Sequence, residues 1–67
     1  MKSCFAKILY SNGDYYEGNT ENGRRHGQGL HYYSSGDIFD GDFVNDHRVG
    51  KGSLKFHQGG EYIGQFI

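Results

Sequence analysis

Apolar and polar positions alternate with a period of two over six short stretches, 5–10, 14–21, 28–34, 37–44, 51–57 and 61–66. Glycine- and Asn/Asp-rich clusters punctuate them at 11–13, 22–27, 35–36, 45–50 and 58–60. Successive side chains of a strand point to opposite faces, so each stretch reads as a strand with one favoured face. No stretch carries the 3.6-residue period of a helix. Six short strands joined by closely spaced turns predict an all-β chain, an antiparallel meander of hairpins. The Asn12-Gly13 pair marks a tight hairpin, because both residue types tolerate positive φ. The clusters at 22–27 and 45–50 predict longer polar turns of six residues each.

The alternation also sorts residues onto faces. One face carries Tyr16, Gly18 and Thr20, then Phe39, Gly41 and Phe43, then Tyr62, Gly64 and Phe66. The intervening strands add Ile8 and Tyr10, His31 and Tyr33, Leu54 and Phe56 to it. The opposite face is mixed and mostly polar, with Glu17, Asn19, Asp40, Asp42 and Gln65 among its members.

A beat of 23 residues underlies this arrangement. Gly13-Asp-Tyr-Tyr-Glu-Gly18 recurs as Gly36-Asp-Ile-Phe-Asp-Gly41, and more weakly as Gly59-Gly-Glu-Tyr-Ile-Gly64. Gly27-Gln-Gly29 recurs as Gly50-Lys-Gly52, Asn22 as Asn45, and Arg25 as Arg48. Tyr10, Tyr33 and Phe56 form one aromatic column, and Tyr16, Phe39 and Tyr62 another. Periods of about 20–50 residues mark repeat architectures, whose units bury their apolar faces only by stacking. The units run as a closing strand at 5–11, repeats at 13–35 and 36–58, and a partial repeat at 59–67. Glycine inside a strand weakens it. Its retention beside each aromatic column predicts rings lying flat over bare backbone.

Composition narrows what such a chain can do. With 67 residues, a single Cys and 34% hydrophobic residues, it is one small unit with little apolar material for a core. Below about 70–80 residues one core rarely supplies more than ~3–5 kcal/mol, so further support from a partner, a second copy or a longer chain is expected. The net charge of −1 points to no nucleic-acid partner. No run of about 18 apolar residues and no secretory leader is visible, and the lone thiol Cys4 fits a reducing compartment. The expectation is a soluble, intracellular protein.

Tyr16-Glu17-Gly18, Asn22-Gly23, His26-Gly27-Gln28-Gly29, Tyr33 and Gly36-Asp37 together resemble a MORN (membrane occupation and recognition nexus) repeat. Residues Phe39-Asp40-Gly41-Asp42-Phe43-Val44-Asn45 with Gly50-Lys51-Gly52 resemble a second, and Tyr62-Ile63-Gly64-Gln65-Phe66 the opening of a third. The pattern is broken by Thr20 in place of an aromatic, Asp46 in place of a turn glycine, Val49 in place of a His and Ile63 in place of an acid. The resemblance implies an elongated, twisted single-layer sheet. It also implies a non-catalytic scaffold or interaction module in cytoplasmic, cytoskeletal or ciliary assemblies, with membrane or phosphoinositide attachment as an alternative.

The candidate partner surface is the aromatic–glycine face, represented by Tyr10, Tyr16, Tyr33, Phe39, Phe43, Phe56, Tyr62 and Phe66. An apolar patch of this size on a small chain marks an interaction site for a protein partner or larger assembly. The apolar C-terminal edge strand adds an expectation of self-association. For a lipid headgroup the candidates are Arg24, Arg25 and Arg48 at the polar turns. Two short basic turns fall below the 4–8 clustered cations typical of lipid recognition, and neighbouring acids oppose it. The Gly-x-Gly pairs lack the following helix that a phosphate loop requires. Cys4 has no predicted pocket in which to act as a nucleophile, and His31 reads as a packed residue of the aromatic face. No catalytic residue, metal site or cofactor is expected.

Overall fold

The computed structural model describes residues 3–66. Its six strands are β1 (Ser3–Leu9), β2 (Tyr15–Glu21), β3 (Arg24–Tyr32), β4 (Ile38–Val44), β5 (His47–Lys55) and β6 (Glu61–Phe66). They form one antiparallel sheet in chain order, each strand paired only with its sequence neighbours. The sheet measures 38 × 26 × 15 Å, an open single layer. The described residues contain no helix.

Two kinds of turn alternate. At β1–β2, the Tyr10 amide donates to the Asp14 carbonyl (2.9 Å) and the Gly13 amide to the Tyr10 carbonyl (3.0 Å). The same pair of bonds recurs at Tyr33–Asp37 and Phe56–Gly60, with positive φ at Gly13, Gly36 and Gly59. This is a turn followed by a left-handed residue, the form that glycine satisfies without a Cβ clash. The residue before Gly13, Asn12, instead keeps negative φ and accepts the Asp14 amide on its side-chain carbonyl (2.9 Å).

The long polar turns expected at 22–27 and 45–50 are replaced by two-residue turns. Asn22 and Gly23 have φ of 53° and 78°, and Asn45 and Asp46 have 49° and 71°. Two consecutive positive-φ residues make the mirror-image turn that follows the natural strand twist. β3 therefore begins at Arg24 and β5 at His47, several residues earlier than the polar composition suggested. The surplus residues are absorbed inside the strands. Pairing slips by two between Gly18↔Gly29 and Thr20↔Arg25, and again between Gly41↔Gly52 and Asp42↔Val49. Such bulges bend a strand and increase its twist.

The register places the two faces as the alternation predicts. Ile8, Tyr16, His31, Phe39, Leu54 and Tyr62 stand opposite one another in one row across all six strands. The adjacent row is Ala6, Gly18, Gly29, Gly41, Gly52 and Gly64. Each large ring leans over this trough of small residues. A Cβ on Gly52 would lie 2.8 Å from the Phe39 ring, and one on Gly29 would overlap the Tyr16 ring itself. The mid-strand glycines thus give the rings a flat backbone floor.

The core is correspondingly small: Tyr16, Phe39 and Phe43 are fully buried, with Ile8, Tyr10, Tyr33, Leu54 and Phe66 packed against them. Its centre is a zigzag of edge-to-face contacts, Tyr16–Phe43–Phe39–Phe66–Tyr62, with centroids 4.8–5.3 Å apart and interplanar angles of 80–86°. T-shaped pairs set the positive edge of one ring against the negative face of the next, worth about 0.5–1.5 kcal/mol each beyond area burial. Among the described residues no second layer covers the sheet, so this ladder takes the place of an inter-layer core. On the opposite face Leu9, Tyr15, Tyr32 and Ile38 share a row, with Phe5 and Ile63 also pointing that way and well exposed. That face is more apolar than its polar majority suggested.

Candidate interaction site

The aromatic face is not flat. Strand twist and the two kinds of turn enclose a cleft of roughly 630 Å³ lined by Tyr10, Asp14, Arg25, His31, Tyr33, Asp46, Arg48 and Phe66, among others. Its polar members arrive from the turns, its apolar ones from the rows described above.

Two arginines organise it. Arg25 lies over the rings of Phe43 (5.0 Å) and Tyr10 (6.0 Å). Arg48, one repeat later, lies over Phe66 (5.3 Å), Phe39 (5.5 Å) and Tyr33 (6.0 Å). Guanidinium planes stack on aromatic faces and keep their in-plane donors available. Arg25 uses a donor on each of its three guanidinium nitrogens. Its Nε and backbone amide donate to the Asp46 carboxylate (3.1 and 2.8 Å), and Nη2 donates to the Asp46 carbonyl (2.8 Å). The Asp46 amide in turn donates to the Arg25 carbonyl (2.9 Å). The carboxylate that stands where a turn glycine would otherwise be is therefore the clasp between two successive hairpins. Burial pushes the Asp46 carboxyl up, but the bonds from Arg25 and its positive charge outweigh this and hold it below the ordinary carboxylate range.

A third guanidinium bond of Arg25 leads inward. Nη1 lies 3.1 Å from His31 Nδ1, and His31 Nε2 lies 3.0 Å from Asp14 Oδ2. Arginine can only donate, so Nδ1 accepts and Nε2 carries the proton donated to Asp14. His31 is a packed residue of the aromatic face, as its position in the sequence implied, and stands 4.6 Å from the Tyr33 ring. The second oxygen of Asp14 accepts the Ser34 amide (2.8 Å), closing the next turn along the sheet. Asp37 does the same for the His57 amide (2.7 Å) one repeat later. The bond from His31 and then that from Ser34 hold the Asp14 carboxyl below its usual value. Burial raises the Tyr10 and Tyr16 phenols, with the Arg25 charge opposing, so both remain hydrogen-bond donors at neutral pH.

The sequence-derived candidates divide by exposure. Tyr16, Phe39 and Phe43 are covered by their own neighbours; Tyr10, Tyr33 and Phe66 are half-buried along the cleft; Phe56 and Tyr62 are 43% and 46% exposed at the β6 end. All three arginines lie in strands rather than in turns; Arg24 is exposed at the start of β3, whereas Arg25 and Arg48 lie over rings. Asp14, Asp46 and His31 are participants that composition did not single out. The sequence placed His31 on the aromatic face, set Asp46 where a turn glycine is expected and repeated Asp14 as Asp37, but gave no sign of the bonds that join them. Among the described residues no cluster of three or more metal-ligating side chains occurs.

No characterised protein matches the chain across its sequence. The family model for the MORN repeat matches twice, at residues 16–38 and 39–61. The two matches abut and have the same 23-residue length as the structural repeat, each running from one large ring of the Tyr16/Phe39/Tyr62 column to the strand that carries the next. MORN repeats are structural repeats, generally protein- or membrane-interaction modules and not typically catalytic. From the matched repeats and the hairpin sheet that they build, the chain belongs to the MORN repeat family.

Proposed function

We propose that this chain is a non-catalytic scaffold module that binds a protein partner along the cleft of its aromatic face and at its sheet edges, within a cytoskeletal or ciliary assembly. The observation carrying the reading is a contrast among equivalents. Tyr16, Phe39 and Tyr62 occupy one repeat position, yet the first two are wholly buried and Tyr62 is 46% exposed. Its neighbour Phe56 is 43% exposed. Covering a ring of this kind contributes about 25 cal/mol per Å² of apolar area removed from water. A partner laid against β6 would continue both the hydrogen-bond ladder and the ring ladder, the strand-addition mode of recognition.

The test is affinity capture of partners from source cells by the wild-type chain and by Tyr62→Asp, with circular dichroism confirming that the variant keeps its sheet. Loss of the captured proteins supports the reading. An unchanged set of captured proteins with a folded Tyr62→Asp removes this surface from it. Phosphoinositide binding draws less support, because Arg25 is engaged by Asp46 and His31, and two carboxylates share the cleft with the cations. Co-sedimentation with phosphoinositide vesicles, repeated with Arg24, Arg25 and Arg48 changed to Ala, separates the two readings.

A further inference from the structure

We propose that the face opposite the aromatic ladder docks a cationic amphipathic helix of a partner protein, laid along β3. This surface is separate from the aromatic face and its edges, and the two readings stand or fall independently. Its centre is the apolar seam of Tyr32 and Leu30 on β3. Tyr15 and Ile38 widen the seam on either side of Tyr32, with the Tyr15 and Tyr32 rings 5.7 Å apart. One step along the strand, Leu30 stands between Glu17 and Asp40, and Asp42 follows beside Gln28. Carboxylates therefore straddle the seam. A shallow cavity of roughly 280 Å³, lined by Phe5, Glu17, Leu30 and Asp40 among others, offers a recess for one apolar side chain. A helix with an apolar stripe laid on one face of an antiparallel sheet is one of the few stable two-layer arrangements.

Charge and width select the occupant. None of Glu17, Asp40 and Asp42 enters an ion pair among the described residues, and Glu17 accepts only the Tyr15 hydroxyl (3.3 Å). The lysines of this face stand outside β2–β4: Lys7 on β1, opposite Glu17 but without an ion pair to it, and Lys51 and Lys55 on β5. Arg24, at the far end of β3, stands opposite Glu21, which balances it. A surface with this excess of carboxylates repels nucleic acid and anionic lipid and attracts a cationic partner. Glu17 and Asp40 lie two strands apart, about 9.5 Å at ~4.8 Å per strand, close to the ~10–12 Å width of a helix. Lysines or arginines on both flanks of its apolar stripe would each meet a carboxylate. A second copy offers no helix from its described residues, and its matching face would set acid against acid. Hairpins stacked beyond either edge extend the sheet in its own plane. β2, β3 and β4 already have a strand on each side, so such hairpins would leave this seam uncovered.

The probe is a helix-stapled peptide of about four turns (~14 residues) with a leucine stripe flanked by lysines on both sides. It is titrated into the full chain carrying ¹³C-labelled Ile and Leu methyl groups. The methyls of Leu30 and Ile38 report on the proposed face, and those of Ile8 and Leu54 on the aromatic face. One control peptide has the same composition with its lysines scattered through the stripe; another has glutamates for lysines, which leaves the protein untouched. A chain with Glu17→Gln and Asp40→Asn together is run beside them, its fold checked by circular dichroism. The expected result is saturable movement of the Leu30 and Ile38 methyls with those of Ile8 and Leu54 unmoved. Binding should be about tenfold weaker for the double variant and for the glutamate peptide, since two partly screened ion pairs are lost. Equal binding of the striped and scattered peptides overturns the proposal. So does undiminished binding of the glutamate peptide, an unchanged affinity of the folded double variant, or the absence of any methyl response at millimolar peptide. Shifts confined to Ile8 and Leu54 would overturn it while leaving the partner-binding reading of the aromatic face intact.

Discussion

The Nε2 of His31 lies 3.0 Å from Oδ2 of Asp14, joining the centre of the aromatic face to a surface turn 17 residues earlier. The same carboxylate closes the following turn through the Ser34 amide. One side chain thus couples two hairpins, in a sheet where the described strands pair through backbone bonds only with their immediate neighbours.

That coupling makes stability acid-sensitive in a definite window. The Asp14 carboxyl is held below its unfolded value near 3.8, first by His31 and then by Ser34, so the unfolded chain takes up the proton more readily. The contribution is fully present above the unfolded value and is lost as pH falls through the lower folded one. Thermal midpoints of wild type and Asp14→Asn should differ most well above pH 3.8 and converge as the pH falls below the lowered folded value. A difference that stays constant across pH 2.5–7 contradicts the assignment.

The glycine trough predicts an asymmetric response to one methyl group. Gly29→Ala forces a Cβ into the Tyr16 ring and should cost about 1–3 kcal/mol in urea unfolding, as overpacking does. Combining it with Tyr16→Leu, which withdraws the ring, should recover part of that loss. Additive losses in the double variant would mean that the ring is not the obstacle.

Equivalent positions should not be energetically equivalent. Tyr16→Ala removes a fully buried ring and should cost about 3–5 kcal/mol, enough to unfold a chain of this size. Tyr62→Ala removes a ring already half in water, and its cost should be less than half as great. Calorimetry or chemical denaturation of the two variants measures this. Similar losses at both positions would require Tyr62 to be covered in solution.

The clasp between turns predicts a measurable interaction energy. A double-mutant cycle on Arg25→Gln and Asp46→Asn should give a coupling of about 1 kcal/mol, weakened by salt because Asp46 is partly exposed. Additivity of the single variants, within about 0.3 kcal/mol, would show that the clasp contributes nothing.

By itself the sequence determined everything that depends on local periodicity. Alternation assigned Tyr16, Phe39 and Tyr62 to the face of Gly18, Gly41 and Gly64, and the 23-residue beat stacked these positions in register. Both follow from strand geometry, which any two neighbouring residues obey. The tertiary structure alone decided which of those rings are covered. It also decided that Arg24 and His47 begin strands where their polarity suggested turns, and that Asp46 serves as a clasp. Arg24 and His47 pair across their two-residue turns with Glu21 and Val44, whereas the clasp turns on a partner about 20 residues away, as with Asp46 and Arg25 or Asp14 and Ser34. Such partners meet only once the bulged strands have twisted one hairpin onto the next. A two-residue turn and a six-residue polar turn have the same composition. What separates them is where the backbone bonds of the flanking strands find partners, and that is a property of the assembled sheet.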